Sequence, residues 1–234
     1  MSRLLPVSEV FGPTIQGEGP HAGRRVYFVR LGGCNLSCSW CDSAYTWDGE
    51  TYDLREELTP STALDVLARL HELGWDGDAP VVLTGGEPLL YQRFPEFVEL
   101  LALVPEVHVE TNGTILPTHH TIANVAHFST SPKLAHAGTH RGRSAEPAAG
   151  WDRVAETVPV AVKVVVQTPA DCDTAAALVD SMGLTRSHLW LMPEGITAEV
   201  LGTRWRMVCD QALRLHANAT HRLHVLAYGD IRGV

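Results

Sequence analysis

Cys34, Cys38 and Cys41 lie within one eight-residue stretch, Cys34-Asn35-Leu36-Ser37-Cys38-Ser39-Trp40-Cys41. The C-x3-C-x2-C spacing lets three thiols converge on one face of a cuboidal iron–sulfur cluster and leaves one iron without a protein sulfur. Cysteine-ligated clusters ordinarily take four thiolates, so a small molecule is expected to complete the coordination. Zinc is a poorer occupant: a structural zinc site needs four ligands in a closed tetrahedron, and His21 and His71 stand at non-motif spacing. A disulfide fits no better, since the trio is odd in number and Cys172 and Cys209 lie far off in helical patterns, where they read as ordinary half-buried thiols.

A second motif is Thr84-Gly85-Gly86-Glu87-Pro88. Paired glycines let backbone approach a ligand closely or take positive φ, and Glu87 offers a carboxylate to an ammonium group. Alone, the segment serves equally as a strand-to-helix turn. Cys34 follows the strand candidate Val26 to Leu31 through Gly32-Gly33, so both motifs are expected to leave a sheet at the same edge.

Taken together, the cysteine loop and the glycine motif resemble the radical S-adenosylmethionine (SAM) superfamily. Six further segments narrow the resemblance: Gln16-Gly17-Glu18-Gly19, Phe28-Val29-Arg30, Cys41-Asp42-Ser43, Glu110-Thr111-Asn112-Gly113-Thr114, Ser131-Pro132-Lys133, and the ending from Leu223-His224 to Gly233-Val234. Over nearly the whole chain they are similar to the 7-carboxy-7-deazaguanine synthase family.

The resemblance implies a 4Fe-4S cluster on Cys34, Cys38 and Cys41, with SAM chelating the open iron and giving a 5′-deoxyadenosyl radical. It implies Gly85, Gly86 and Glu87 at the SAM amino group, and Trp40, Cys41, Asp42, Gly113, Ser131, Pro132 and Lys133 along the rest of SAM. The implied reaction converts 6-carboxy-5,6,7,8-tetrahydropterin to 7-carboxy-7-deazaguanine with loss of ammonia and a requirement for magnesium. Ile15, Gln16, Gly17, Glu18, Arg30, Thr111 and His224 are the implied substrate contacts, joined by the α-carboxylate of Val234. Acceptors near Gln16 suit the guanidine-like edge of a pterin, and Arg30 can take its carboxylate in bidentate fashion. Ser43 stands where the family pattern leads us to expect a threonine ligand to magnesium; serine keeps the oxygen.

Simpler roles stand beside these: packing for Trp40 and His224, a surface position for Arg30, a plain turn for Asn112-Gly113, a frayed tail for Val234. Another radical SAM enzyme, such as a glycyl-radical activase, shares the cysteine loop but has no use for Gln16 to Gly19, Arg30 and Ser43. An iron–sulfur electron carrier needs a fourth thiolate and leaves Gly85-Gly86-Glu87 idle. The resemblance also suggests a homodimer and an external reductant such as flavodoxin.

The elements that must position these residues alternate short β-rich runs with amphipathic ones, which signals βα units and a mostly parallel sheet. Strand candidates are Val26 to Leu31, Val81 to Thr84, Val107 to Thr111, Ala126 to Thr130, Val160 to Val166, Leu189 to Met192 and His224 to Ala227, with Leu5 to Val10 as an added edge. Several are continuous apolar runs, as in buried parallel strands. Helices are expected over Pro60 to Leu73 with Thr59 as N-cap, Phe94 to Val104, Thr174 to Met182 and Glu199 to His216. Leu134 to Trp151 lacks periodicity and reads as a long loop over one face. The expected fold is α/β, a partial (β/α) barrel of the radical SAM type, in one domain over residues 1–234 with the active site at the carboxyl ends of the strands.

At 234 residues, 45% hydrophobic and 19% charged, the chain can bury a substantial core. A formal charge of −9 argues against wrapping nucleic acid, which favours basic surface. No segment reads as a leader peptide or membrane span, and reduced thiols fit the cytoplasm.

Overall fold

Residues 3–234 are described in the computed structural model. Their strands are β1 (Leu5–Ile15), β2 (Arg25–Leu31), β3 (Thr59–Ser61), β4 (Val81–Gly85), β5 (Val107–Thr111), β6 (His127–Thr130), β7 (Val160–Val166), β8 (Leu189–Pro193) and β9 (Asn218–Ala219). They form one sheet in the order β3-β1-β2-β4-β5-β6-β7-β8-β9. β1 is antiparallel to β2 and β3, and every other pairing is parallel. The helices are α1 (Leu54–Glu57), α2 (Ala63–Glu72), α3 (Pro95–Leu103), α4 (His119–Ala123), α5 (Trp151–Ala155), α6 (Pro169–Ser181), α7 (Ala198–Arg214) and α8 (Leu223–Tyr228). No helix among the described residues is long and apolar enough to cross a membrane.

Side chains alternate across a strand, and here the alternation separates core from site. Tyr27, Val29 and Leu31, Val81 and Leu83, Val107 and Val109, Val160 to Val166 at even positions, and Leu189 and Leu191 all join the main core with α2, α3, α6 and α7. Each buried aliphatic side chain there contributes on the order of 1.5–3 kcal/mol of transfer free energy. The intervening residues Phe28, Arg30, Thr84, Glu110, Lys163, Val165 and Met192 line one common cavity. Residues from β2, β4, β5, β7 and β8 can share a cavity only if the sheet curves around it, which makes the architecture the expected partial barrel.

Four element assignments change. His224 to Ala227 is helical, within α8; the last strand is the two-residue β9, and Gly229 at φ +78 ends the helix. Pro60 belongs to the edge strand β3 rather than a first helical turn, and α2 is capped by Thr62, whose side chain pairs with Asp65 in a capping box. α6 starts earlier than expected, with Thr168 as cap, Asp171 as its capping-box partner and Pro169 in the first turn. β1 runs on to Ile15 and is covered by β3, so it is not an edge. The loop over 134–150 is present, broken only by two short 3-10 turns.

Deeper in the barrel, below the cavity, His21, His108 and His127 pack together with ring centroids 4.4 Å, 4.6 Å and 5.6 Å apart. Glu106 Oε1 accepts from His108 Nε2 at 3.0 Å, and the same carboxylate is paired with Arg24. Burial, then the other two rings and Lys163, pushes the pKa of His127 down to about 3. The unfolded value is about 6.5, so the unfolded chain takes up the proton first. The stability contributed by the neutral ring is complete above about pH 6.5 and is lost as pH falls toward 3. His127→Phe should therefore flatten the fall in melting temperature between about pH 7 and about pH 4, read by circular dichroism; equal slopes for both proteins would contradict the assignment.

Candidate active site

β2 delivers the cysteine loop through two glycines whose backbone is held on both sides. Gly32 N donates to Pro6 O at 2.7 Å and Gly33 N to Thr46 O at 2.7 Å. The end of β4 closes on the same segment: Gly86 N donates to Leu31 O at 3.0 Å and Glu87 N to Gly33 O at 2.8 Å. A Cβ at Gly85, whose φ is +132, would lie 2.0 Å from Leu31 O, and one at Gly86 would lie 1.9 Å from Gly33 O. The paired glycines are thus demanded by contact between two backbone segments.

From the other side, the 134–150 loop holds the cysteine loop through Ser39 N to Ala137 O at 2.9 Å and Ser37 N to His140 Nδ1 at 3.4 Å. The three cysteines are free and line the cavity. Leu36 N donates to Cys34 Sγ and Trp47 Nε1 to Cys41 Sγ, both at 3.4 Å. Burial pushes the metal-free Cys34 thiol up to about 11, so metal must drive its deprotonation. Among the described residues no three His, Cys, Asp or Glu side chains converge on a single ion. Three separated sulfurs, two of them with N–H donors, suit a multi-iron cluster better than one zinc.

Glu87 takes a different part from the one expected of it. Its carboxylate is fully buried and accepts from Thr111 Oγ1 at 2.9 Å, Asn112 N at 2.7 Å and Leu89 N at 2.9 Å. Burial still pushes its pKa up against these bonds. It does not line the cavity; it ties the exit of β4 to that of β5. Asn112 in turn donates to Asn35 Oδ1 at 2.8 Å, inside the cysteine loop.

The cavity, about 410 Å³, brings together most of the residues singled out in the sequence. Ile15, Gln16, Gly17, Glu18, Arg30, Thr111, His224 and Val234 line it, as do Trp40, Asp42, Ser43, Gly85, Gly86, Ser131 and Lys133. Gly113 and Pro132 stand behind the wall with Glu87; the Gly113 carbonyl is taken by Trp151 Nε1 at 2.8 Å. Lys133 Nζ donates to Ser131 Oγ at 2.9 Å and sits 5.5 Å from the centre of the Trp40 ring, while Trp40 Nε1 is a buried donor with no protein partner. An orphaned N–H beside a cationic amine and the cysteines fits a polar organic cofactor. Ser43 is buried with Oγ 3.7 Å from Cys41 Sγ.

The wall carries further charges beside the expected Glu18, Arg30 and Asp42, among them Lys163, Glu110 and Arg222. Glu18 is ion-paired with Lys163 and accepts from Arg222 Nε at 2.9 Å. Burial would raise its pKa, but Lys163 and Arg222 hold it far below the usual carboxylate range. Lys163 also lies 3.8 Å from Glu110, which accepts from Gln16 Nε2 at 3.2 Å and Thr84 Oγ1 at 2.9 Å. Arg222 continues to Asp42 and to Gly195 O. Arg30 Nε donates to Glu9 Oε2 at 2.7 Å, where Tyr45 OH also donates at 2.9 Å. His224 rests on Gly17, where a Cβ would fall 1.9 Å from its Nδ1. Lys163 was findable as the lone charge in the otherwise apolar β7, and Glu110 as the one carboxylate in β5.

Overpacking the glycine contact tests this geometry. Gly86→Ala should cost about 1–3 kcal/mol of stability in urea denaturation and should lower iron bound per chain although all three cysteines remain. Full iron content with unchanged stability would show that the contact does not position the loop.

The Radical SAM superfamily profile matches residues 28–127. The 7-carboxy-7-deazaguanine synthase of Pyrobaculum aerophilum is 34% identical over 97% of this chain and 96% of its own length. That of Bacillus subtilis is 30% identical over the whole of both chains, and that of Halobacterium salinarum 33% identical over 97% of this chain and 91% of its own. The crystal structure of QueE from Escherichia coli superposes with a TM-score of 0.65 at 24% identity, covering 94% of this chain and 95% of that one, which supports the fold. Full-length similarity of this degree, joined to a three-cysteine loop at the carboxyl edge of a partial barrel, establishes that the chain belongs to the 7-carboxy-7-deazaguanine synthase family of radical SAM enzymes.

Proposed function

We propose that this chain converts 6-carboxy-5,6,7,8-tetrahydropterin to 7-carboxy-7-deazaguanine with release of ammonia, using a 4Fe-4S cluster, SAM and magnesium. The observation that carries this reading is the sharing of one cavity by the three cysteines and a wall of paired charges, Arg30, Glu18, Glu110 and Lys163. A pterin acid offers complementary features, a guanidine-like donor edge and a carboxylate. Cys34, Cys38 and Cys41 would hold the cluster, with Gly85, Gly86, Trp40, Asp42, Ser131 and Lys133 along SAM. When bound, the pair supplies a 5′-deoxyadenosyl radical able to remove hydrogen from an unactivated carbon.

The chain's own residues bind and orient. Glu9 fixes Arg30 through Nε, leaving its terminal nitrogens for a carboxylate. Gln16 is set by Glu110 on one side and by the Glu18 amide at 3.2 Å on the other. Glu18 and Glu110 then offer acceptors to the donor edge, while Lys163 and Arg222 keep Glu18 ionised. Thr111, held by Glu87, and His224, held against Gly17, close the sides. Ser43 would give magnesium an oxygen beside the substrate carboxylate, and Val234 lines the same cavity. An external one-electron donor of the flavodoxin class and a homodimeric state belong to the same reading.

Anaerobically reconstituted protein with reductant, SAM, magnesium and the carboxylated tetrahydropterin should yield the deazaguanine acid by mass spectrometry, and Cys38→Ala should yield neither it nor 5′-deoxyadenosine. Turnover by Cys38→Ala would refute the ligand set. Ser43→Ala should lose activity at limiting magnesium and regain part of it at saturating metal; indifference to magnesium in both proteins would remove Ser43 from the metal site.

A further inference from the structure

Residues 229–234, which follow α8, all line the cavity. Among the described residues, the hydrogen bonds and ion pairs reaching 230–234 are made by Arg232 alone. Its Nε is bonded to Glu9 Oε1, its Nη1 donates to Glu57 Oε2 at 2.8 Å, and its guanidinium lies 3.8 Å from the centre of the Tyr45 ring. Glu9 is the junction. Its other oxygen, Oε2, takes Arg30 Nε and Tyr45 OH.

We infer that Arg232 is a positioning residue that seats the 229–234 segment against the cavity and, by occupying Glu9 Oε1, leaves the terminal nitrogens of Arg30 to the substrate carboxylate; this rests on the proposed function. A carboxylate facing an arginine readily takes Nε and a terminal nitrogen together. With Arg232 withdrawn, Glu9 has a free oxygen to do so, and Arg30 loses the face it would offer to substrate. Seating the segment and presenting Arg30 are thereby one event. Arg232 is partly exposed, with 44% of its side-chain surface accessible, so the latch can release and re-form.

The test compares holoenzyme carrying Arg232→Gln, Arg232→Lys or Glu57→Gln with the unaltered protein. Arg232→Gln should raise KM for the carboxylated tetrahydropterin about tenfold with kcat within about twofold, the pattern of lost ground-state binding. Arg232→Lys should recover part of the loss, and Glu57→Gln should fall between. Chymotryptic cleavage after Tyr228, which is 45% exposed, should run about fivefold faster in Arg232→Gln without substrate, because cleavage follows the population of the open segment. Unchanged KM, or unchanged cleavage, overturns the inference; if Arg232→Gln does not fold, Glu57→Gln decides by the same criteria. Should the unaltered enzyme form no deazaguanine, the proposed function fails, while the cleavage rates still settle whether Arg232 holds the segment.

Discussion

Contact between two backbones, Gly86 against Gly33, is the constraint on which the site depends. Only glycine allows it, since any Cβ at Gly86 would overlap the Gly33 carbonyl. From this contact a closed circuit follows. Glu87 leaves the turn, reaches Thr111 and Asn112, and Asn112 returns to Asn35 beside Cys34. Three strand exits, from β2, β4 and β5, are thus locked together by the chain's own bonds. Preorganisation of this kind limits the motion of the ligand loop and lets three sulfurs suffice.

The second organising feature is the division of the parallel strands into an apolar outer face and an inner one that carries charges on β2, β5 and β7. Ion pairs such as Lys163 with Glu18 and Glu110 gain attraction in a low-dielectric interior but sacrifice hydration, and a well-packed apolar substitute is often at least as stable. Their place in the barrel is better explained by function than by stability. They keep the Glu18 carboxylate ionised and hold Glu18 and Glu110 where a polar acid with a donor edge is to bind. Below them the neutral histidine trio fills the narrowing interior without adding charge.

Short-range signals made much of this legible in the sequence. The cysteine loop, the glycine pair, the alternation of strands with helices and the irregular 134–150 stretch each reside in local spacing or composition. What escaped resides in long-range pairing or competing local signals. Arg222 meets Glu18 and Arg232 meets Glu9 across almost the whole chain, and nothing near either arginine announces the partner. Glu87 reads as a ligand group because a carboxylate after two glycines is chemically suggestive, yet the fold consumes it internally. Leu223 to Tyr228 is a short apolar run of the kind that periodicity alone cannot assign, and the glycine after it marks a helix end. At α2, Pro60 suggested a first helical turn, but the Thr62–Asp65 capping box marked the true one.

Electron paramagnetic resonance of the reduced, reconstituted protein before and after addition of SAM tests the central claim most directly, because it reads the coordination of the cluster iron itself. The account predicts a single 4Fe-4S signal whose g-values shift when SAM binds, as they must if one iron lacks a protein sulfur. A signal unmoved by saturating SAM, or a cluster of another nuclearity, would contradict it.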